Sequence, residues 1–231
     1  MSASTLSLEH AIPSDIPTLT SIYFSAFHAD PLSLTCFPRN NPSIQQWWLE
    51  NITSAFTSEP TARVIKIVER KQAISSEYSE GIQKKEEIIA FGKWHVLDAA
   101  TQVGGDDPDS MPTWPAGSPS SLCNNFFGGL ASTRQKLMSS RPHYYLELLA
   151  TLPQHQGRGV ASVLIKWGLE LADRDGLEAY VEGGPKVKGL YERLGWVERG
   201  CVQVDLEGHG GYRESCMVRQ GKTTENVDRA P

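Results

Sequence analysis

Gly157 and Gly159 fall in the run Gln154-His-Gln-Gly-Arg-Gly159, directly before a stretch with helical spacing. Glycine takes positive φ without strain and lets main chain approach a bulky ligand. Two of them at a strand-to-helix junction gather N–H groups that have no intrahelical acceptor, where the helix dipole also favours negative charge. That chemistry suits a phosphate group, and Arg158 between the glycines could add a charge-assisted bond. An ordinary tight turn has the same spacing, so spacing alone leaves both readings open. Glu147 is the second residue of chemical interest, because it interrupts the apolar run around Leu146, Leu148 and Leu149. By period two it shares a face with Tyr145, Leu149 and Thr151. A buried unpaired carboxylate is expensive, so that face is expected to meet a polar cleft or a partner.

The elements that must position these residues are legible on either side of them. His143 to Leu152 is β-rich and ends at Pro153. Val160 to Asp173 is helical, with Val160, Val163, Leu164, Trp167 and Leu171 forming an apolar stripe that pins the helix to a sheet. Gly176 stops it, Leu177 to Glu182 reads as the next strand, and Leu190-Tyr-Glu-Arg-Leu-Gly-Trp196 closes the unit. Upstream, Leu6 to Ile12 reads as a strand, and Pro13-Ser-Asp15 opens a helix that Asp30-Pro31 ends. Asn41-Pro-Ser43 opens a second helix whose buried side carries Ile44, Trp47, Trp48 and Ile52; tryptophans at that spacing read as core rather than as a substrate cap. Arg63 to Glu69 and Ile88 to Leu97 alternate as paired strands around a polar hairpin loop. A long Gly/Pro/Asp/Ser loop, Asp98 to Leu122, precedes a helix over Asn124 to Arg141, and Cys201 to Leu206 with Tyr212 to Val218 forms a last hairpin. The expected organisation is one domain over residues 1–220, with insertions at about 70–87 and 98–142 and a polar tail over 221–231. Its class is α/β, a mostly antiparallel central sheet with one parallel strand–helix–strand crossover, flanked by helices.

Composition narrows the function. The 231 residues carry a formal charge of −5, which argues against a nucleic-acid partner because no basic stripe stands out. No apolar run is long enough for a membrane span, and the first residues lack the pattern of a signal peptide. The 4 cysteines are scattered without a CxxC pair, and His10, His28, His95 and His209 lie apart without ligand spacing, so no metal is expected. A cytoplasmic protein is the expectation.

Two phosphate motifs compete for the glycine turn. A Walker-type loop fails for lack of Lys-Ser/Thr after the second glycine. A dinucleotide fingerprint fares better, since Glu182 ends the next strand, but Ser162 stands where Gly or Ala belongs and the crossover comes late in the chain. A dinucleotide-dependent oxidoreductase therefore stays as an alternative. The run Leu149-Ala-Thr-Leu-Pro-Gln-His-Gln-Gly-Arg-Gly-Val-Ala-Ser162, followed by Leu190-Tyr-Glu-Arg-Leu-Gly-Trp196, closely resembles the GNAT superfamily of N-acetyltransferases. The family's Gln/Arg-x-x-Gly-x-Gly/Ala signature is met by Gln154, Gly157 and Gly159, and Tyr-x-x-Leu-Gly-aromatic is its usual companion.

The resemblance implies acetyl-CoA, or another acyl-CoA, as cosubstrate and a V-shaped slot between splayed fourth and fifth strands. Main chain at Leu149, Ala150 and Thr151 would hold pantetheine, and Gln156, Gly157, Arg158, Gly159, Val160, Ala161 and Ser162 would hold the pyrophosphate. Tyr191 matches the tyrosine that protonates the departing thiolate. The acceptor would be a small-molecule amine or a peptide, attacking directly in a ternary complex that needs no enzyme nucleophile. An ammonium must first lose a proton. Glu147 is the first candidate base, with Glu182 and then His143 behind it; an ion pair is the competing role for Glu147. Gly183-Gly-Pro185 departs from the family, which often carries Ser or Asn after strand five. A non-catalytic acyl-CoA sensing module is the remaining alternative. Neither a monomer nor a homodimer is singled out by these residues.

Overall fold

The computed structural model describes residues 4–72, 84–98 and 111–222. The middle of the first expected insertion, residues 99–110 of the second, and the tail from 223 lie outside the described residues. The period-two segments pair into one 7-stranded sheet. In chain order the strands are β1 (Ser4–His10), β2 (Ala62–Gln72), β3 (Lys84–Leu97), β4 (His143–Thr151), β5 (Glu178–Gly183), β6 (Val197–Leu206) and β7 (Gly210–Arg219). Their order across the sheet is β1-β2-β3-β4-β5-β7-β6. Only β4 and β5 run parallel; the other neighbours are antiparallel. This is the mixed sheet expected from sequence, and it departs from the doubly wound parallel sheet that a dinucleotide fold requires. The helices are α1 (Ile16–Ala26), α2 (Pro31–Cys36), α3 (Pro42–Thr57), α4 (Ser120–Met138), α5 (Val160–Asp175) and α6 (Lys188–Arg193). Among the described residues no helix is long and apolar enough to cross a membrane.

Several of these elements differ from the expectation. Asp30-Pro31 does not end a helix but begins α2: the Asp30 carboxylate accepts from Ser33 N–H at 2.7 Å, and Pro31 takes the first helical position, where its missing N–H is harmless. Residues 27–29 are the real break. The helix after the Asp98–Leu122 loop also starts earlier than expected, at Ser120, and ends earlier, at Met138, and the last hairpin is longer on both sides.

Apolar faces decide the layering. One buried cluster joins α1, α2, α3 and part of α4 to one face of the sheet, a second joins α5 and α6 to the opposite face, and a smaller third gathers Met138 of α4 with Tyr145, Tyr180 and Cys216 of the strands. α5 is held against its face by a specific notch. Trp94 of β3 is wholly buried and donates its indole N–H to the Leu164 carbonyl at 3.2 Å. Its ring fills the space left by Gly168, where a Cβ would fall 2.3 Å from Trp94 Cε2. Packed cores do not absorb such an overlap without moving backbone. Gly168→Ala is therefore expected to destabilise the protein by about 1–3 kcal/mol, although alanine is the better helix former by about 1 kcal/mol. Denaturant unfolding measures it; an unchanged or higher midpoint would mean that Trp94 has room to give way.

Candidate active site

The ladder between β4 and β5 is short. It pairs His143 with Glu178, Tyr144 with Ala179, Tyr145 with Tyr180 and Leu146 with Val181, and no further. β4 continues to Thr151 and β5 to Gly183, so from Glu147 onward the two strands run on without each other. Main-chain N–H and C=O groups that would complete a ladder are left facing a gap in the middle of the sheet. Such groups make an edge ready to accept an extended ligand.

On its other side β4 carries an irregularity at the same level. Lys93 pairs with Leu148 and Trp94 with Leu146, so Glu147 is an extra residue with no partner in β3. A bulge of this kind bends a strand and turns a side chain to a new direction. It also breaks period two, and this corrects the face expected for Glu147. Past the bulge Leu148 packs with the α1–α3 cluster and Leu149 with the α5 cluster, so Glu147 and Leu149 no longer share a side.

Glu147 meets a partner rather than open solvent. Its Oε2 accepts from His95 Nε2 at 2.6 Å and from Lys93 Nζ at 2.8 Å. Lys93 also reaches Glu59, two residues beyond α3, at 2.6 Å, and His95 Nδ1 lies 2.8 Å from Thr61 Oγ1. Burial alone would raise the Glu147 carboxyl, but Lys93 and His95 outweigh it and hold the group well below the usual carboxylate range. Burial likewise opposes the charge on Lys93, and Glu147 with Glu59 reverses that, leaving the ammonium above its ordinary value. Glu59, His95 and Glu147 bring ligand-type atoms within 4.8 Å of one another, but Lys93 supplies the cation that both carboxylates share. His95, wholly buried, is thus a structural member of the site that its own sequence neighbourhood did not single out. The only outward sign was that Lys93 and His95 interrupt an otherwise apolar strand.

At the far end of β4 the chain passes through Pro153–His155, a short 3-10 turn, into the glycine run. Gly157 and Gly159 have φ of 74° and 79°, in the left-handed region where a side chain is strained. No heavy atom lies within 4 Å of where a Cβ on either would stand, so it is backbone conformation and not crowding that demands glycine here. Gly159 caps α5, and the first bond into the helix is Val163 N–H to Gly159 O at 3.3 Å. The amides of Val160, Ala161 and Ser162 precede that bond and have no acceptor in the helix. Gln156 ties the turn to β4, donating from Nε2 to the Thr151 carbonyl at 3.1 Å.

A cavity of about 1010 Å³ joins these features. Its wall takes in Glu147, Leu149, Thr151, Gln156, Gly157, Gly159, Val160, Ala161, Ser162 and Tyr191. Two residues expected at the cofactor are not on this wall. The Ala150 side chain is buried in the α1–α3 cluster, so only its main chain could serve a ligand along β4. Arg158 turns to β2, where its Nη2 donates to Glu69 at 2.7 Å and its Nη1 reaches His155 at 2.5 Å. Arg158 in turn holds the Glu69 carboxyl down at about 2.

Tyr191 of α6 is 3% exposed and meets Trp196 edge-on, with ring centroids 5.4 Å apart. Its ring lies against the end of β5, where a Cβ on Gly183 would come within 2.7 Å of Cε2. Burial, then Glu214 and Glu182, push its hydroxyl pKa up, so the phenol keeps its proton. Gly184 opens space of a different kind: a Cβ there would stand 2.9 Å from the Tyr212 hydroxyl and 3.4 Å from Glu214 Oε2. Glu182 accepts from Tyr145 Oη at 2.7 Å, and burial raises its carboxyl despite nearby Arg134. His143, the third candidate base, is buried with its Nδ1 on the Arg141 carbonyl and is not part of the cavity wall. Trp48 stacks on Tyr23 in the core as expected, whereas Trp47 is only partly buried and, like Trp48, borders the cavity.

Known proteins share this fold. The family model for the Acetyltransferase (GNAT) family matches residues 41–196. A Corynebacterium glutamicum structure described as histone acetyltransferase HPA2 and related acetyltransferase aligns with a TM-score of 0.56 at 21% identity, covering 97% of this chain and 99% of that one. The Escherichia coli ribosomal-protein-S18-alanine N-acetyltransferase aligns at 0.54 and 13% identity, covering 95% and 96%. A mosquito arylalkylamine N-acetyltransferase-like protein, 5b, aligns at 0.59 and 13% identity, covering 94% and 100%. At these identities the structures share the fold, while the family model spans the strand gap, the glycine turn and Tyr191; the chain belongs to the GNAT family of acetyltransferases.

Proposed function

We propose that this chain is an acetyl-CoA-dependent N-acetyltransferase that passes the acetyl group directly to an amine in a ternary complex. The observation that carries the reading is the parting of β4 and β5 after Leu146 and Val181, in a cavity with the glycine turn and Tyr191 on its wall. The open edge of β4 from Glu147 to Thr151 offers main-chain partners to the amides of pantetheine. The free amides at the start of α5 suit the pyrophosphate, and they do so without Arg158, whose guanidinium is held on Glu69. Such a slot supports catalysis mainly by placement, since holding the thioester carbon and amine nitrogen at attack distance removes most of the entropy barrier.

In this reading the nitrogen lone pair forms the new C–N bond, the carbonyl π electrons move to oxygen, and collapse of that adduct breaks the C–S bond. Tyr191 donates its phenolic proton to the departing sulfur and recovers one from the nitrogen. The ion pairs on Glu147 support a fixed negative charge that holds the bulged strand, and they leave it a weak proton acceptor.

Two outcomes test the proposal. Tyr191→Phe should lower kcat by about 100-fold, read as thiol release, while acetyl-CoA affinity by calorimetry stays within about twofold. A sensing module would show no turnover to lose. Gly159→Val, which forces a branched side chain into left-handed backbone and over the open amides, should weaken CoA binding by about tenfold or more. Thermal protection by NAD and none by CoA would favour the dinucleotide alternative.

A further inference from the structure

The cavity extends past the reacting strands toward α1–α4, and its far wall is aromatic. Phe37 and Trp47 stack with centroids 5.4 Å apart, Trp47 lies 5.7 Å from Trp114, and Trp114 lies 5.1 Å from Phe127. Trp47, Trp114 and Phe127 come from three separate segments and are each only partly buried, so the cluster is not sealed core. The indole N–H groups are already engaged: Trp47 donates to the Thr113 carbonyl at 3.0 Å and Trp114 to Asn124 Oδ1 at 2.6 Å. What they present to the cavity is therefore ring face, suited to an apolar or aromatic body.

The same cavity takes in Glu214 of β7, whose charge is felt at Tyr191. It borders the cavity, reaching it past Gly184 where a side chain would otherwise intervene. Among the described residues no Lys, Arg or His forms an ion pair with it. The titratable groups around it are Tyr212 and Cys216 of its own strand, Glu182 of β5, Asp30 ahead of α2 and Tyr191 of α6. Arg134 of α4 is committed to the Tyr145 ring, 4.0 Å from its centroid, on the side of Glu182. Glu147, by contrast, already has Lys93 and His95. Asp30 and Glu182 border the cavity without an ion pair as well, but Asp30 accepts from Ser33 N–H and Tyr212, and Glu182 from Tyr145 with Arg134 nearby; Glu214 is the one set beside Gly184 and felt first among the charges at Tyr191.

Building on the transferase reading, we propose that the acceptor is a primary amine on an apolar body of aromatic size, seated against the Trp47–Trp114 wall with its nitrogen delivered to Glu214, which takes the ammonium proton. One N–H proton of the ammonium passes to the Glu214 carboxylate, freeing the lone pair for attack. The second passes through Tyr191 to the thiolate, and Glu214 afterwards releases its proton to water. The balance is acetyl-CoA plus ammonium giving amide, CoA thiol and one proton. Burial pushes the Glu214 carboxyl up to about 8, with Glu182 and Asp30 adding to it against the Tyr212 hydrogen bond, so it exchanges a proton near neutral pH where Glu147 does not.

The test uses the full chain with saturating acetyl-CoA and four acceptors: 2-phenylethylamine, spermidine, free lysine and an alanine-initiated peptide. Thiol release should favour 2-phenylethylamine in kcat/KM by about tenfold or more over each of the others, and Trp47→Ala should erase most of that preference through KM. Glu214→Gln, nearly isosteric, should lower kcat by about 100-fold, with acetyl-CoA affinity and thermal midpoint kept as evidence of folding. Because the base works only when ionised, parent activity should climb as pH rises through about 8, and the Gln variant should lack that limb. Preference for spermidine, lysine or the peptide, or a Gln variant within about threefold of the parent, overturns this proposal and leaves the transferase reading standing. Acetyl-CoA binding with no thiol release for any amine overturns both.

Discussion

A sheet is stabilised by its ladders, and this one gives up a ladder at its centre. Beyond Leu146 and Val181 the backbone groups of β4 and β5 no longer satisfy each other, and the rest of the molecule is arranged around that deficit. The strands stay apart because something stands on each side. Glu147 bulges out of the β3–β4 pairing and is anchored from just beyond α3 and from β3 by Glu59, Lys93 and His95. Across the gap, Tyr191 lies against Gly183 and keeps the end of β5 in place. α5 is fixed by the Trp94–Gly168 notch, so its N-terminus points into the gap.

The carboxylates show how one cavity holds several acids without collapsing under their repulsion. Glu147 stays charged because cations lie within hydrogen-bonding distance. Glu182 and Glu214 instead rise toward neutrality, burial being the first cause in both. Neighbouring acids driven in opposite directions by their surroundings are a common way for a fold to divide structural and proton-transfer roles.

Much of this was legible in the chain, and the boundary of legibility has a physical cause. Gly157 and Gly159 announced themselves because left-handed backbone is a property of the residue type, and the Val160–Leu171 stripe because helical periodicity is local. The family resemblance then supplied the slot and Tyr191. What escaped was whatever depends on register. A single extra residue at Glu147 shifts every later side chain of β4 to the other face, and no local pattern marks the shift. Lys93 and His95 matter only because β3 sets them beside that bulge. Glu214 sits in an unremarkable alternating strand until the β5–β7 pairing brings it alongside Gly184. Asp30-Pro31 was ambiguous in principle, since the same dipeptide suits a helix stop and a helix start.

The Glu69–Arg158 pair has a further consequence for how a phosphorylated ligand would be gripped. The guanidinium nearest the glycine turn is drawn onto Glu69 of β2, away from the cavity wall, so the turn confronts an anion with oriented dipoles rather than with that side chain. Ionic atmosphere screens separated charges over a distance of about 8–10 Å but barely touches hydrogen bonds made in contact. Cosubstrate retention by such a cradle would be comparatively indifferent to ionic strength, and discrimination would come from the shape of the backbone rather than from the sign of a side chain.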